Sequence, residues 1–383
     1  MKLKLIADDN IPAVRQYLGS LFDITLVNGR ALSRDQLLEA DALLVRSVTR
    51  VDENLLAETG VSFVGSATSG TDHMDQTWLA QTGITFCHAP GSNANSVVEY
   101  VLAAVAATGQ VLERLLVAGR VGIVGYGRVG AALAARLEAL GINWCAYDPL
   151  LAKDEIARPA SLEQVLDCEL ICLHPELTCE GPWPSYHLIG AAELARLGDH
   201  QLLINASRGA VIDNKALLHC LGEPLPPAVV LDVWEQEPWI EPELLRQVSI
   251  GTAHIAGYSL DGKVLATRML ARQLLAHFGM ETQPGAGPLS DIAPVVLAGA
   301  GSPAEAMRQL IEQRYPIARD DQLLRQAVFG SDDNERAAQF DVLRKQYAER
   351  RELVGSKVVV ASSDVQYLDI VRALGAEPVL QKD

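Results

Sequence analysis

The chain has 383 residues, 49% of them hydrophobic and 21% charged, with a formal net charge of −16. That length exceeds a single hydrophobic core and predicts two or three domains, while the acidic excess lacks the clustered Lys and Arg of a nucleic-acid footprint. The six cysteines, Cys87, Cys145, Cys168, Cys172, Cys179 and Cys220, form no C-x-x-C pair. Neither a disulfide framework nor a metal site is therefore expected.

The apolar stretch at Leu3 to Ala7 is too short for a secretory signal and predicts a first strand. Further β-rich runs follow at Ile24 to Val27, Ala42 to Val45, Val61 to Gly65 and Ile84 to Cys87, with helical patterns between them. This alternation predicts βα units on a parallel sheet. Val97 to Val117 predicts one long buried helix, since Glu99, Glu113 and Arg114 interrupt it and leave too short an uncharged core to span a bilayer. A cytoplasmic chain without a membrane segment is the expectation. A second series of strands is predicted at Arg120 to Gly125, Ile142 to Tyr147, Leu170 to His174, Leu202 to Asn205, Val229 to Asp232 and Val248 to Gly251. The fold class is thus α/β, with two doubly wound parallel-sheet domains.

Helix breakers from Gln283 to Pro288 predict a linker. Beyond it come a strand at Ile292 to Leu297, a helix start at Ser302-Pro303-Ala304-Glu305, a charged helix from Asn334 to Glu352 and a strand from Lys357 to Ala361. This smaller C-terminal α+β region carries no recognisable chemistry and predicts packing or oligomerisation.

Gly125-Tyr126-Gly127-Arg128-Val129-Gly130 satisfies G-x-G-x-x-G directly between an apolar strand and the amphipathic helix Ala131 to Leu140. In that context the glycines serve a tight turn, a close approach to pyrophosphate and a helix-to-strand contact. Asp148, at the end of the next strand, stands where a carboxylate binds the adenosine ribose and repels a 2′-phosphate. NAD is the expected cofactor.

Polar residues collect at later strand ends in Asn205-Ala206-Ser207-Arg208-Gly209, in Leu231-Asp232-Val233-Trp234-Glu235-Gln236-Glu237-Pro238 and in Thr252-Ala253-His254-Ile255-Ala256-Gly257. With these motifs, in this order, the chain resembles the D-isomer-specific 2-hydroxyacid dehydrogenases from about Val61 to about Lys263. The resemblance implies that Arg208 grips the substrate carboxylate, His254 takes the hydroxyl proton and Glu237 orients His254. It also implies that Ala206, Ser207 and Arg208 border the cofactor, that Asp232 faces the nicotinamide amide and that Gly257 meets the cofactor edge. A guanidinium suits a planar carboxylate, and imidazole titrates near neutrality, so the chemistry is consistent with these roles. The chain has His174-Pro175-Glu176 where relatives carry His-Thr-Pro, which leaves backbone atoms at Pro175 for the cofactor contact. His73, His88, His174, His187, His200, His219 and His277 read as packed or surface residues.

The likeness extends to a branch acting on a small phosphorylated hydroxy acid, through Asp9-Asn10-Ile11-Pro12, Val45 to Val51, Gly65 to His73 and His254 to Lys263. It implies substrate contacts by the hydroxyls of Ser47, Thr68 and Tyr258, and a homodimer formed through the C-terminal region. Arg46 adds charge for a phosphate, and the backbone from Ser66 to Thr71 could cup an anion. The resulting division is residues 1–93 with 255–284 as a flavodoxin-like substrate domain, 94–254 as a Rossmann NAD domain and 285–383 as a dimerisation domain. Spacing alone leaves a three-carbon phosphorylated acid open as substrate. An NAD-sensing, corepressor-like binding protein is the alternative from another class.

Overall fold

The structure is a computed structural model that describes residues 2–281, 293–330 and 332–381. The chain forms two compact units, one of Met1–Asn93 with Ser259–Asp291 and one of Ala94–Tyr258 with Ile292–Asp383. The linker expected from Gln283 to Pro288 lies outside the described residues.

In the first unit, β1 (Leu3–Asp8), β2 (Phe22–Val27), β3 (Ala42–Val45), β4 (Phe63–Ser66) and β5 (Thr85–His88) form a sheet of order β2-β1-β3-β4-β5. Every pairing is parallel. Alternate residues of β3 serve opposite layers, as strand geometry requires. Leu44 packs with Leu270 and Leu274 of the helix Leu260–His277, whereas Leu43 and Val45 pack with Leu37, Leu56 and Leu79 on the other face. Both faces are covered at β3, which is why that strand is wholly apolar.

The second unit carries β6 (Arg120–Val124), β7 (Asn143–Tyr147), β8 (Leu170–Leu173), β9 (Leu202–Asn205), β10 (Ala228–Leu231) and β11 (Ile250–Gly251). They form an all-parallel sheet of order β11-β10-β9-β8-β6-β7. The order reverses between β6 and β8, and ligands of such sheets bind beyond the carboxyl ends of the strands at that point. The single helix expected from Val97 to Val117 is instead two, Ala94–Ala107 and Val111–Val117, bent by 105°. Gly109, at φ +50°, supplies the break that apolar periodicity conceals. Among the described residues no single helix is long and apolar enough to cross a membrane.

The rest of this unit holds a small parallel sheet of β12 (Val295–Leu297), β13 (Lys357–Val360) and β14 (Glu377–Leu380), with helices Pro303–Arg314, Ile317–Phe329 and Asp333–Lys345. Ser302 caps the first of these helices, its hydroxyl accepting the Glu305 N–H at 3.1 Å. Ala306, Met307 and Leu310 share a core with Val101, Leu102 and Val105 of the helix Ala94–Ala107. The charged helix expected to reach Glu352 stops at Lys345. The residues beyond it are drawn into a buried polar cluster. The Ser96 hydroxyl donates to Glu352 Oε1 at 2.6 Å, and Arg350 donates to Glu99 Oε2 at 3.1 Å.

Candidate active site

Every cofactor and catalytic residue expected in the second unit lies at or beyond the carboxyl end of a strand of its large sheet. Gly125 ends β6 in a turn at φ +87°, a conformation that disfavours any side chain. A Cβ there would also stand 2.7 Å from Pro175 N and 2.8 Å from His174 C. The Gly125 turn and the segment after β8 are therefore in backbone contact at the switch point, which places Pro175 beside the fingerprint.

Gly127 precedes the helix Arg128–Ala139, and a Cβ on it would meet nothing within 4 Å. Open space in front of a helix N-terminus, with unsatisfied N–H groups behind it, fits a pyrophosphate. Arg128 and Val129 open the helix, and Gly130 packs against the Gly125 carbonyl. Asp148 follows β7. Its Oδ2 accepts the Tyr126 N–H at 2.8 Å and its Oδ1 the Leu150 N–H at 3.0 Å. The carboxylate thus braces the fingerprint loop, and each oxygen keeps a lone pair for ribose hydroxyls. These residues fit a dinucleotide.

Asn205, at the end of β9, shapes the next loop. Its Oδ1 accepts the Ser207 N–H at 3.1 Å and hydroxyl at 2.8 Å, and its Nδ2 donates to the Arg208 carbonyl at 3.0 Å. Ala206 and Ser207 sit inside this turn, and Arg208, half-buried, donates from Nη1 to the Ser207 carbonyl at 2.9 Å. Gly209 holds the Arg208 loop against the loop after β10, for a Cβ would fall 2.0 Å from the backbone C and O of Trp234.

Trp234 joins the remaining parts. Its backbone N–H donates to Glu237 Oε1 at 2.9 Å and its indole N–H to the Thr252 carbonyl at 2.9 Å. Glu237 Oε2 lies 2.7 Å from His254 Nδ1. Burial alone would raise the Glu237 carboxyl, but the His254 charge and hydrogen bond, with the Trp234 N–H, hold it below the usual carboxylate range. His254 itself adopts φ +55°.

Asp232 explains that backbone. It is 1% exposed, and its Oδ1 accepts the Thr252 hydroxyl at 2.6 Å and the Ile255 N–H at 2.8 Å, while Oδ2 accepts the Ala256 N–H at 2.9 Å. Burial raises its carboxyl despite His254 and these donors. Thr252, having donated its proton to Asp232, accepts from the Tyr100 hydroxyl at 2.8 Å. Asp232 therefore clamps the turn that presents His254, Gly257 and Tyr258. The sequence motifs contain Asn205, Trp234 and Thr252 without pointing to these bracing roles, and nothing in the sequence singles out Tyr100.

In the first unit Arg46 and Ser47 follow β3 and Thr68 follows β4, at the carboxyl edge of neighbouring strands. Ser47 is exposed and Arg46 half-buried. The Thr68 hydroxyl donates to the Gly70 carbonyl at 2.8 Å and accepts from Ser66 Oγ at 2.7 Å, and His73 Nε2 lies 2.8 Å from Ser66 Oγ. The Thr68 proton is thus engaged within its own loop. Tyr258 belongs to the second unit.

Comparison with known proteins agrees with this geometry. The family model described as D-isomer specific 2-hydroxyacid dehydrogenase, NAD binding domain, matches residues 102–256, and a domain of unknown function matches 288–375. An erythronate-4-phosphate dehydrogenase of Cellvibrio japonicus is 45% identical over 91% of this chain and 93% of its own. One of Marinobacter nauticus is 44% identical over 97% and 98%. An NAD+-bound 3-phosphoglycerate dehydrogenase of Entamoeba histolytica shares the fold, with a TM-score of 0.61 at 21% identity over 73% of this chain and 96% of that one. The chain belongs to the erythronate-4-phosphate dehydrogenase family, within the D-isomer-specific 2-hydroxyacid dehydrogenases, and is an NAD-dependent oxidoreductase acting on a CH–OH group.

Proposed function

We propose that the chain oxidises 4-phospho-D-erythronate at C2 to (R)-3-hydroxy-2-oxo-4-phosphooxybutanoate, a step of pyridoxal 5′-phosphate biosynthesis. The observation that carries this is the 2.7 Å pairing of His254 Nδ1 with Glu237, in a chain that matches relatives of that name along nearly its whole length. Bound NAD supplies the hydride acceptor. With Glu237 accepting a hydrogen bond from Nδ1–H, neutral His254 offers the Nε2 lone pair to the C2 hydroxyl and accepts its proton as the C2 hydrogen leaves. The Glu237 carboxylate then stabilises the imidazolium. Arg208 holds the carboxylate next to C2 and polarises the forming carbonyl.

The fingerprint from Gly125 to Gly130, Asp148, Pro175, the 206–208 turn, Asp232 and Gly257 make up the cofactor contacts in this reading, with Asp232 acting chiefly through the turn it clamps. Arg46, Ser47, Thr68 and Tyr258 make up the substrate contacts. For Thr68 a hydroxyl contact as donor requires breaking its bond to Gly70. Residues 1–93 with 255–284, 94–254 and 285–383 act as substrate, cofactor and dimerisation domains. A dimer through the last of these is favoured by β14, an edge strand with Val379 and Leu380 exposed. Six free thiols suit a cytoplasmic location.

A panel of 4-phospho-D-erythronate, D-erythronate, D-3-phosphoglycerate and D-lactate, each with NAD and NADP and followed at the NADH absorbance band, tests the reading. The highest kcat/KM is expected for 4-phospho-D-erythronate with NAD. A higher value for phosphoglycerate would overturn the substrate, and no turnover of any acid would overturn the chemistry.

A further inference from the structure

The helix Asp333–Lys345 places Phe340, Leu343 and Arg344 at spacings of three and four, on one face. Phe340 and Leu343 pack in the cluster that holds Ala253 and Trp234, which aims this face at the turn bearing His254. Past the helix end the same course continues. The Tyr347 ring meets the Tyr258 ring edge-on with centroids 5.9 Å apart, and Arg350 Nε donates to the Tyr258 carbonyl at 3.2 Å. Arg344 stands between these contacts. The Tyr258 hydroxyl and the carboxylates of Glu237 and Asp232 all favour its charged form, which sets the guanidinium beside them.

Both acids stabilise its charge, but neither offers it a hydrogen-bond acceptor. Glu237 is engaged by His254 and the Trp234 N–H, and Asp232 by three donors of the turn it clamps. The Arg344 Nε–H is out of solvent and meets no acceptor among the described residues. A guanidinium carries five donors and no acceptor, and a buried donor left unsatisfied is costly. A cation with an idle donor, beside the hydroxyl of a tyrosine that stands four residues after His254, matches an anion with several acceptor oxygens. Arg208 already serves the carboxylate in the reading above, and Arg46, the cation read for the phosphate, belongs to the first unit, so Arg344 adds a cation from the second.

We propose that Arg344 and the Tyr258 hydroxyl form the subsite for the phosphate monoester of the substrate. This assignment rests on the substrate class proposed above. It gives the C-terminal region a part in specificity as well as in packing, because Arg344 comes from a segment outside the sheet domains that carry the chemistry.

The test uses the full-length protein and its Arg344→Gln and Arg344→Lys variants. Steady-state kinetics with 4-phospho-D-erythronate and D-erythronate give the preference for the phosphorylated acid, and thermal shift with inorganic phosphate reports the subsite without turnover. Loss of a charge-assisted contact should cut the preference of Arg344→Gln by about 10- to 100-fold, chiefly through KM. Its phosphate-induced thermal shift should vanish, and Arg344→Lys should recover part of both. Equal losses for both acids, or an unchanged phosphate shift in Arg344→Gln, would overturn the subsite. Should the wild type oxidise neither acid, the proposed reaction fails, and the phosphate shift still decides the subsite. A wild type with no shift at all would count against it.

Discussion

Glu237 divides its two oxygens between the partners that define the catalytic geometry, Oε2 facing His254 Nδ1 at 2.7 Å and Oε1 accepting the Trp234 N–H at 2.9 Å. The carboxylate fixes the imidazole ring and is itself fixed by the loop. In Glu237→Gln the amide oxygen can keep the Trp234 bond, but the amide NH2 then faces Nδ1. That arrangement moves the imidazole proton to Nε2 and removes the base. We expect kcat to fall by about 10²- to 10³-fold with little change in NAD affinity. Steady-state kinetics beside a fluorescence titration of NAD would check this, and a loss confined to NAD binding would contradict it.

Gly209 carries a second prediction, because the atoms in its way belong to backbone. A Cβ 2.0 Å from Trp234 C and O cannot be absorbed by a rotamer change, so Gly209→Ala must push the Arg208 loop away from the Glu237 loop. The expected cost is about 1–3 kcal/mol of stability. A fall in kcat/KM should accompany it, since Arg208 and His254 lose their mutual placement. Thermal denaturation and kinetics on one preparation would measure both, and a variant with native activity would show that the two loops move independently.

The parts that were legible in the sequence are those specified locally. Buried parallel strands such as Ala42–Val45 are continuous apolar runs, and the Gly125 turn, Asp148, Arg208, Glu237 and His254 stand at strand ends in recognisable strings. The rest depends on partners far along the chain. Gly109 bends an apolar stretch that has no proline to announce the break. Charged periodicity runs on to Glu352, yet Arg350 and Glu352 leave the helix because Glu99 and Ser96, some 250 residues earlier, bind them. Thr68 has the hydroxyl expected of it, but spacing cannot show that Gly70 takes the proton. Arg344 sits in a charged helix that offers no motif, and only packing at Phe340 and Leu343 brings it to Tyr258.

Asp148 should decide between the two nicotinamide dinucleotides. Its carboxylate braces Tyr126 and Leu150 and brings negative charge to the end of β7, where a 2′-phosphate would be repelled. Asp148→Asn retains an acceptor for one of those N–H groups while removing the charge. We expect the ratio of kcat/KM for NAD over NADP to fall by roughly 10-fold, with a modest rise in the KM for NAD. An unchanged ratio would assign the discrimination to other residues.

Glu99 gives the protein a defined response to pH. It is 8% exposed, and burial, reinforced by Glu352, lifts its carboxyl from 4.5 to about 7 in spite of Arg350 at 3.1 Å and the N–H groups of Leu353 and Val354. Between those values the folded chain holds a proton that the unfolded chain has lost. The stability from this group is therefore fully present below about 4.5 and disappears as pH rises through about 7. Glu99→Gln imitates the protonated form and cannot titrate. The wild type and the variant should denature at similar temperatures near pH 5. Towards pH 8 the wild type should lose about 1–3 kcal/mol relative to the variant. Thermal denaturation of both proteins across that range would check this, and a gap that stays constant or moves in favour of the wild type would mean that the Arg350 attraction exceeds the cost of burying the ionised Glu99.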